Sequence, residues 1–380
     1  MDERPGLTRG RHELRSVIVA LAIVSAACTG RVNEQSTQTP SPPVTTAPAA
    51  TATPAPTAGP DAHGNPMVLI ASGDIACAPG SPAIPTGCHQ ATTASLVAGG
   101  PGGAPVAVLL LGDTQYESGR TQDYASFDMT WGAALRALPG TAVLPVAGNH
   151  EWYDPDPTGS GCVFQHAGRN ACGFESYFGD AAFAGELSDG VGDYARTFAA
   201  QTAHPLAVIM LDVGVCEHDP AVCSAGSRTT SFLERALADP QVNPPAACTI
   251  VAWHQARWSD AGHGDIGYVD PVWRALYRTK PAQRPDLVVN GHDHLYERMP
   301  ALGTGGRAKP DGIVEIVAGA GGREIAGVSY AGPAPTRAAF VDLQHFGVLR
   351  MEADTAAGSL RTALLTESGT LLDEQLLTCR

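Results

Sequence analysis

Five times along this chain a short apolar run stops at a glycine or at a polar side chain able to bind a metal. Met67-Val68-Leu69-Ile70 leads to Gly73-Asp74, Val106 to Leu111 leads to Gly112-Asp113, and Ala142 to Ala147 leads to Gly148-Asn149-His150-Glu151. Thr249-Ile250-Val251-Ala252 leads to Trp253-His254, and Leu287-Val288-Val289 leads through Asn290-Gly291 to His292-Asp293-His294. Such runs read as buried strands, and the glycines that follow permit tight turns. Helix-like stretches lie between them at Gln90 to Ala98, Gln122 to Leu138, Thr230 to Ala238 and Val272 to Tyr277. Alternating strands and helices predict an α/β domain, whose site lies beyond the carboxyl ends of the strands. Every polar residue named above falls there. Residues 154 to 192, rich in glycine and carrying two cysteines, read as a disulfide-pinned excursion over that rim. Ile313 to Ala318 and Phe346 to Met351 read as two late strands that finish the domain with a second sheet.

The fold is expected to occupy residues 65–380. Before it, Arg9, Arg11 and Arg15 precede an apolar run from Ser16 to Ala27, too short to span a bilayer and ending in small residues. That is the pattern of an export signal, residues 1–28. Ala26-Ala27-Cys28 resembles a lipobox, in which the cysteine becomes a lipidated N-terminus, although Ser25 stands where leucine is usual. Plain cleavage near Ala27 is the alternative. Residues 29–64, rich in Pro, Thr, Ala and Ser, cannot bury enough surface to offset their ordering entropy. They read as an extended stalk, a candidate for glycosylation.

Export makes sense of nine cysteines. With Cys28 set aside, eight remain, and an even number in an exported chain points to disulfides. Close spacing favours Cys77–Cys88, Cys162–Cys172 and Cys216–Cys223, which leaves Cys248–Cys379 to tie down the C-terminus. The formal charge of −14 argues against nucleic acid as a general partner. A phosphorylated small substrate remains open, because a bound cation inverts the local field.

Taken singly, each polar junction is weak. A Gly-Asp after a strand is usually a turn, His254 beside Trp253 reads equally as a core histidine, and Tyr116 as a buried loop tyrosine. Together, Asp74, Asp113, Tyr116, Asn149, His150, His254, His292 and His294 form one ordered set. The blocks are Gly73-Asp74, Gly112-Asp113-Thr114-Gln115-Tyr116, Gly148-Asn149-His150-Glu151, the isolated His254, and Gly291-His292-Asp293-His294-Leu295-Tyr296-Glu297-Arg298. In this order they resemble the calcineurin-like metallophosphoesterases, and within them the purple acid phosphatases. The wider superfamily places a histidine two residues after the first aspartate. Here that position is Ala76, and Tyr116 stands where the purple acid phosphatases use a tyrosine.

The resemblance implies two mixed β-sheets packed as a sandwich and flanked by helices. It implies two metal ions, one held by Asp74, Asp113, Tyr116 and His294, the other by Asp113, Asn149, His254 and His292, with Asp113 bridging. It leaves His150 free to face the substrate, and leaves Asp293 pointing away from the metals. A phenolate ligand favours Fe(III), beside a divalent Fe, Zn or Mn. The implied activity is hydrolysis of phosphomonoesters of broad range by a metal-bound hydroxide, as in acid phosphatases. A phosphodiesterase or nucleotide pyrophosphatase on the same site is the rival enzyme, and a non-catalytic surface-binding protein the rival from another class. His263 and Arg257 are candidate phosphate contacts, Trp152-Tyr153 a candidate wall, and Glu297 and Arg298 structural partners. His63, His89, His166, His204, His218 and His345 match no motif.

Overall fold

Runs of Val, Ile, Leu and Ala, buried along their whole length, form the central strands, as parallel strands covered on both faces require. The computed structural model describes residues 66–99, 103–153, 162–166, 168–325 and 337–380, all within the unit Pro48–Arg380. The expected export signal and stalk lie outside the described residues. In chain order the sheet strands are β1 (Met67–Ser72), β2 (Ala107–Leu110), β3 (Ala142–Pro145), β4 (Leu187–Ser188), β5 (Tyr194–Phe198), β6 (Leu206–Met210) and β7 (Cys248–Gln255). They continue with β8 (Leu287–Gly291), β9 (Tyr296–Arg298), β10 (Val314–Ala318), β11 (Phe340–Asp342), β12 (Gly347–Asp354), β13 (Ser359–Thr366) and β14 (Leu371–Thr378). Four helices are used below: α1 (Gln90–Gly99), α2 (Cys172–Phe178), α3 (Arg228–Ala238) and α4 (Asp270–Arg278).

Two mixed sheets share one apolar core. The first has the order β14-β13-β12-β1-β2-β3, parallel from β1 to β3 and antiparallel on the other side. The second has the order β11-β9-β10-β8-β7-β6-β5-β4, with β6, β7, β8 and β10 parallel. A single buried cluster runs through residues of both. This is the expected mixed-sheet α/β architecture, with one correction. The two late strands do not form a sheet of their own. β10 joins β8 in the second sheet, and β12 pairs antiparallel with β1 in the first. Their alternation could reveal strands but not partners, because either sheet offered an apolar edge.

The helices follow their patterns with one exception. Ser227 caps α3 by accepting from the Thr230 amide, and Phe232, Leu233, Ala236 and Leu237 are its buried face. Truncating Phe232 to alanine there costs about 3–5 kcal/mol. The stretch Gln122 to Leu138, expected as one helix, is helical over residues 125–136 and widens to a π-type turn at Asp128–Gly132. Tyr177 of α2 explains it. Its hydroxyl binds Asp128 at 2.8 Å and lies where a side chain on Gly132 would stand. The described residues of the rim excursion form more than a loop: they contribute α2 and the edge strand β4, and Phe164, Phe174 and Phe183 enter the core.

All four expected disulfides form: Cys77–Cys88, Cys162–Cys172, Cys216–Cys223 and Cys248–Cys379. The last ties the end of the chain to the start of β7. Four disulfides are the mark of folding in an oxidising compartment. Among the described residues no helix is long and apolar enough to cross a membrane.

Candidate metal centre

The carboxyl ends of β1, β2, β3, β7 and β8 deliver the polar junctions to one place. Asp74, Asp113 and His292 adopt φ values of 57°, 48° and 75°, a backbone that L-residues rarely take. Strain of this kind persists only where the surroundings fix it, and it gathers at functional positions. Two glycines make the approach of β2 and β3 possible. A Cβ on Gly112 would stand 2.7 Å from His254 Nδ1, and one on Gly148 would stand 2.1 Å from Asp113 Oδ1.

The side chains gather into two groups that share one carboxylate. In the first, Tyr116 Oη lies 2.7 Å from Asp74 Oδ1, 3.0 Å from Asp113 Oδ2 and 3.1 Å from His294 Nε2. His294 Nε2 is 3.3 Å from Asp74 Oδ1. In the second, Asn149 Oδ1 lies 3.0 Å from His254 Nε2 and 3.1 Å from His292 Nδ1, and His254 Nε2 is 3.3 Å from Asp113 Oδ2. Donor atoms of Asp113, His254 and His292 all fall within 4.8 Å of one another. Asp74, Asp113, Tyr116, Asn149, His254 and His292 are buried.

Hydrogen-bond bookkeeping tests whether this set fits a cation. His254 Nδ1 donates to the Leu111 carbonyl at 2.7 Å, so Nε2 presents its lone pair inward. Tyr153 donates its hydroxyl proton to Glu217 at 2.6 Å and accepts from Asn149 Nδ2 at 3.2 Å. That fixes the amide and turns Asn149 Oδ1 toward the histidines. Lone pairs of Asn149 Oδ1, His254 Nε2 and Asp113 Oδ2 therefore face one another, an arrangement that needs a positive charge between them. Burial acts to lower the His254 pKa, but Asp113 and Asp74 override it and raise the imidazole to about 10. Burial pushes Asp113 up, yet His254 and His150 hold its carboxyl far below the usual range. His292 goes the other way: burial, with His254 and His263 beside it, drives it well below its ordinary value. Burial and the Asp113 and Asp74 carboxylates raise the Tyr116 phenol well above 10, so ionising it takes a strongly charged cation nearby.

Around these donors sits a supporting shell. Glu151, wholly buried, accepts from the amides of Asp113 at 2.8 Å, Thr114 at 2.7 Å, Gly148 at 2.7 Å and Gln115 at 3.3 Å, and from the Thr114 hydroxyl at 2.9 Å. It locks the β2 and β3 turns together. Asp74 Oδ2 accepts the His292 amide at 2.8 Å, tying β1 to β8. His150 lies outside both donor groups, with Nε2 4.0 Å from Asp113 Oδ2 and Nδ1 donating to the Glu117 carbonyl at 2.6 Å.

The structure sorts the remaining expectations. His263 is exposed, and its ring lies 4.3 Å from that of His292, so it borders the second group. Asp293 points toward that loop, its Oδ1 accepting the His263 amide at 3.0 Å. The Arg257 guanidinium pairs with Asp270 at 3.0 Å and lies over the Trp258 ring. Of the two wall residues, Tyr153 borders His150 at 4.9 Å, whereas Trp152 is buried and donates to Asp212. Glu297 and Arg298 are structural, but with other partners: Glu297 accepts from Ser259 and Asp260, and Arg298 pairs with Asp373. His89, His166 and His345 hydrogen-bond carboxylates, and His204 binds a backbone carbonyl. A separate cavity of about 420 Å³ opens beside Trp152, lined also by Asp212, His166, Asp219 and Arg228.

Sequence reasoning missed Arg323, which lies over the Tyr116 ring, and Glu324, 4.0 Å from His294 Nδ1. Both follow β10 across Gly319-Ala320-Gly321-Gly322, a sixth strand-to-glycine junction that ends in charge.

The fold is a two-sheet α/β sandwich with a cluster of potential metal donors at its strand ends. No family model and no curated protein matches the sequence. Solved structures do match the fold. A purple acid phosphatase, PPD1, from yellow lupin seeds (Lupinus luteus) aligns with a TM-score of 0.57 at 18% identity, over 82% of this chain and 53% of that one. GAP50 of Plasmodium, described as the anchor in the inner membrane complex, aligns with a TM-score of 0.51 at 13% identity, over 83% of this chain and 90% of that one. The chain therefore spans about half the length of the lupin enzyme. At these identities the likeness is one of fold.

Proposed function

We propose that this chain is a binuclear metal-dependent phosphoester hydrolase acting chiefly on phosphomonoesters. The observation that carries the reading is the buried convergence of Asn149, His254, His292 and Asp113 lone pairs, sharing Asp113 with the Asp74–Tyr116–His294 group. Asp74, Asp113, Tyr116 and His294 would hold one ion, and Asp113, Asn149, His254 and His292 the other. Fe(III) beside a divalent Fe, Zn or Mn suits a donor set with one phenol. Two such ions would supply a clamp for a phosphoryl group and an acidified water.

The chain's own groups do the rest. Glu117 fixes one His150 nitrogen, so Nε2 is the atom turned to substrate, placed to steady a phosphoryl oxygen or pass a proton to the leaving alkoxide. Tyr153, beside His150, and exposed His263, beside His292, are placed to meet the leaving group or the phosphate.

The same fold serves a protein described as an anchor, so fold alone does not decide catalysis. A monoester and a diester of 4-nitrophenol, assayed over a pH series with metal-loaded protein, separate the readings. The expectation is faster monoester hydrolysis, abolished by Asp113→Asn. Faster diester hydrolysis would favour the phosphodiesterase, and hydrolysis of neither would sink the enzyme reading and leave a surface-binding protein.

Residues 65–380 are then the catalytic domain of an exported protein, held off the membrane by the 29–64 stalk and anchored only through a lipid on Cys28. Cys28→Ala should move the protein from the membrane fraction to the medium. Membrane retention by that variant would refute the anchor.

A further inference from the structure

Arg323 is held firmly although its side chain is 25% exposed. Its amide donates to the carbonyl of Asp74 at 2.9 Å, and its carbonyl accepts the Cys88 amide at 3.1 Å. Cys88 is in turn bonded to Cys77, three residues after Asp74. The backbone of Arg323 is thus fixed to the strand end that carries a candidate metal ligand. Its guanidinium carbon lies 5.0 Å from the centre of the Tyr116 ring. Its Nε is buried and has no partner. Its Nη2 donates to Glu117 Oε1 at 2.8 Å, and the Glu117 side chain is 59% exposed.

An exposed carboxylate is a poor permanent partner for so well placed a cation, because such pairs contribute little in water. Glu117 also links Arg323 to the chemistry. Its carboxylate holds Arg323, while its carbonyl holds His150. The two candidate phosphate-facing groups therefore flank one residue, and both approach the ring of Tyr116, His150 at 4.4 Å between ring centres. A guanidinium offers paired N–H groups that match two oxygens of one phosphoryl group.

We propose that Arg323 is a substrate-binding residue, released from Glu117 to take two non-bridging oxygens of a phosphomonoester dianion. The inference rests on the phosphoester reading of the centre and deepens it. A monoester keeps three non-bridging oxygens and a diester only two, so an arginine added to a two-metal clamp favours the monoester. Glu117 acts as a stand-in anion that substrate displaces.

The test is orthophosphate binding to the metal-loaded full chain, followed by calorimetry, for the wild type, Arg323→Gln, Glu117→Gln and the double variant. Losing a charge-assisted pair predicts phosphate binding weaker by about 10- to 100-fold in Arg323→Gln. Glu117→Gln should bind phosphate several-fold tighter, and that gain should vanish in the Arg323→Gln background. The Glu117 variant changes only an exposed side chain, so it keeps the test open if Arg323→Gln folds poorly. In kinetics, Arg323→Gln should raise KM for the monoester with little change in kcat, and narrow the monoester-to-diester preference. A purely structural Arg323 would make both single variants weaker binders. Unchanged affinity in Arg323→Gln, or an equal gain from Glu117→Gln in both backgrounds, overturns the proposal. Wild type that binds no phosphate overturns it together with the phosphoester reading. Wild type that binds phosphate in the expected pattern yet hydrolyses nothing upholds Arg323 as an anion contact and refutes the hydrolase alone.

Discussion

Replacing Glu151 by glutamine should destabilise the chain and loosen the metal centre, although Glu151 belongs to neither donor group. One carboxylate oxygen, Oε2, accepts the amides of Asp113 and Gly148, and the other, Oε1, accepts from Thr114 and Gln115. Glutamine keeps one oxygen and sets an NH2 against the remaining N–H groups. With the amide oriented to keep the Thr114 and Gln115 contacts, the Asp113 and Gly148 amides lose their acceptor. Each buried donor left unpaired costs about 1–3 kcal/mol, so the gross loss is about 2–6 kcal/mol. Part of it is offset. Burial, and then Asp113, raises the Glu151 pKa, which means that its charge is disfavoured where it sits. The net expectation is the lower half of that range, about 2–4 kcal/mol, still a large share of a typical folding free energy. Urea denaturation of chelator-treated wild type and variant measures it without interference from bound metal. Metal content should fall as well, because the Asp113 amide is one of the contacts that hold its carboxylate in place. A loss below about 0.5 kcal/mol with full metal content would refute the argument that Glu151 organises the two turns.

Other substitutions divide the centre. His254→Ala and His294→Ala should each lower bound metal from about two ions per chain to about one, and Asp113→Asn should lose both, as read by elemental analysis. Equal losses in all three would contradict the two-group arrangement. If Tyr116 meets a ferric ion, loaded protein absorbs visible light and Tyr116→Phe is colourless. A colourless, active wild type holding only zinc or manganese would remove iron and leave the hydrolase. Stability should also fall with rising pH through Glu315. Burial raises its carboxyl from 4.5 to about 8, against the opposing Arg257 and Trp258 amides. The folded chain therefore holds a proton that the unfolded chain releases, and stability present below about pH 4.5 is lost progressively up to about pH 8. The wild-type minus Glu315→Gln difference in unfolding free energy, followed from pH 4.5 to 8, should shrink or reverse across that window. A difference that stays flat would show that Glu315 is ionised at no cost.

What could be read in advance, and what could not, follows from the range of the interactions. Asp74, Asp113, Asn149, His254 and His292 stand at ends of apolar runs, so strand periodicity and a glycine mark each one locally. Within each sheet parallel strands place their carboxyl ends on one rim, which groups Asp74, Asp113 and Asn149 in the first sheet and His254 and His292 in the second; bringing the two groups together takes the packing of the sheets. The cysteine pairs were likewise legible from spacing, three of them closing loops of ten or so residues. Arg257 follows a predicted ligand closely, but the sequence does not show that Asp270, 13 residues on, pairs with its guanidinium. Glu151 was visible as part of a motif, but nothing local distinguishes a carboxylate that accepts five hydrogen bonds from an exposed one. Arg323 and Glu324 lie about 250 residues after Asp74 and meet it only because β10 joins β8 in the second sheet while β1 ends beside them in the first. Sheet partnership is a long-range property that an alternating pattern does not encode. Each donor was thus readable from its own strand, whereas their meeting, the residues that arrange them and those proposed to choose the substrate depend on how two sheets meet.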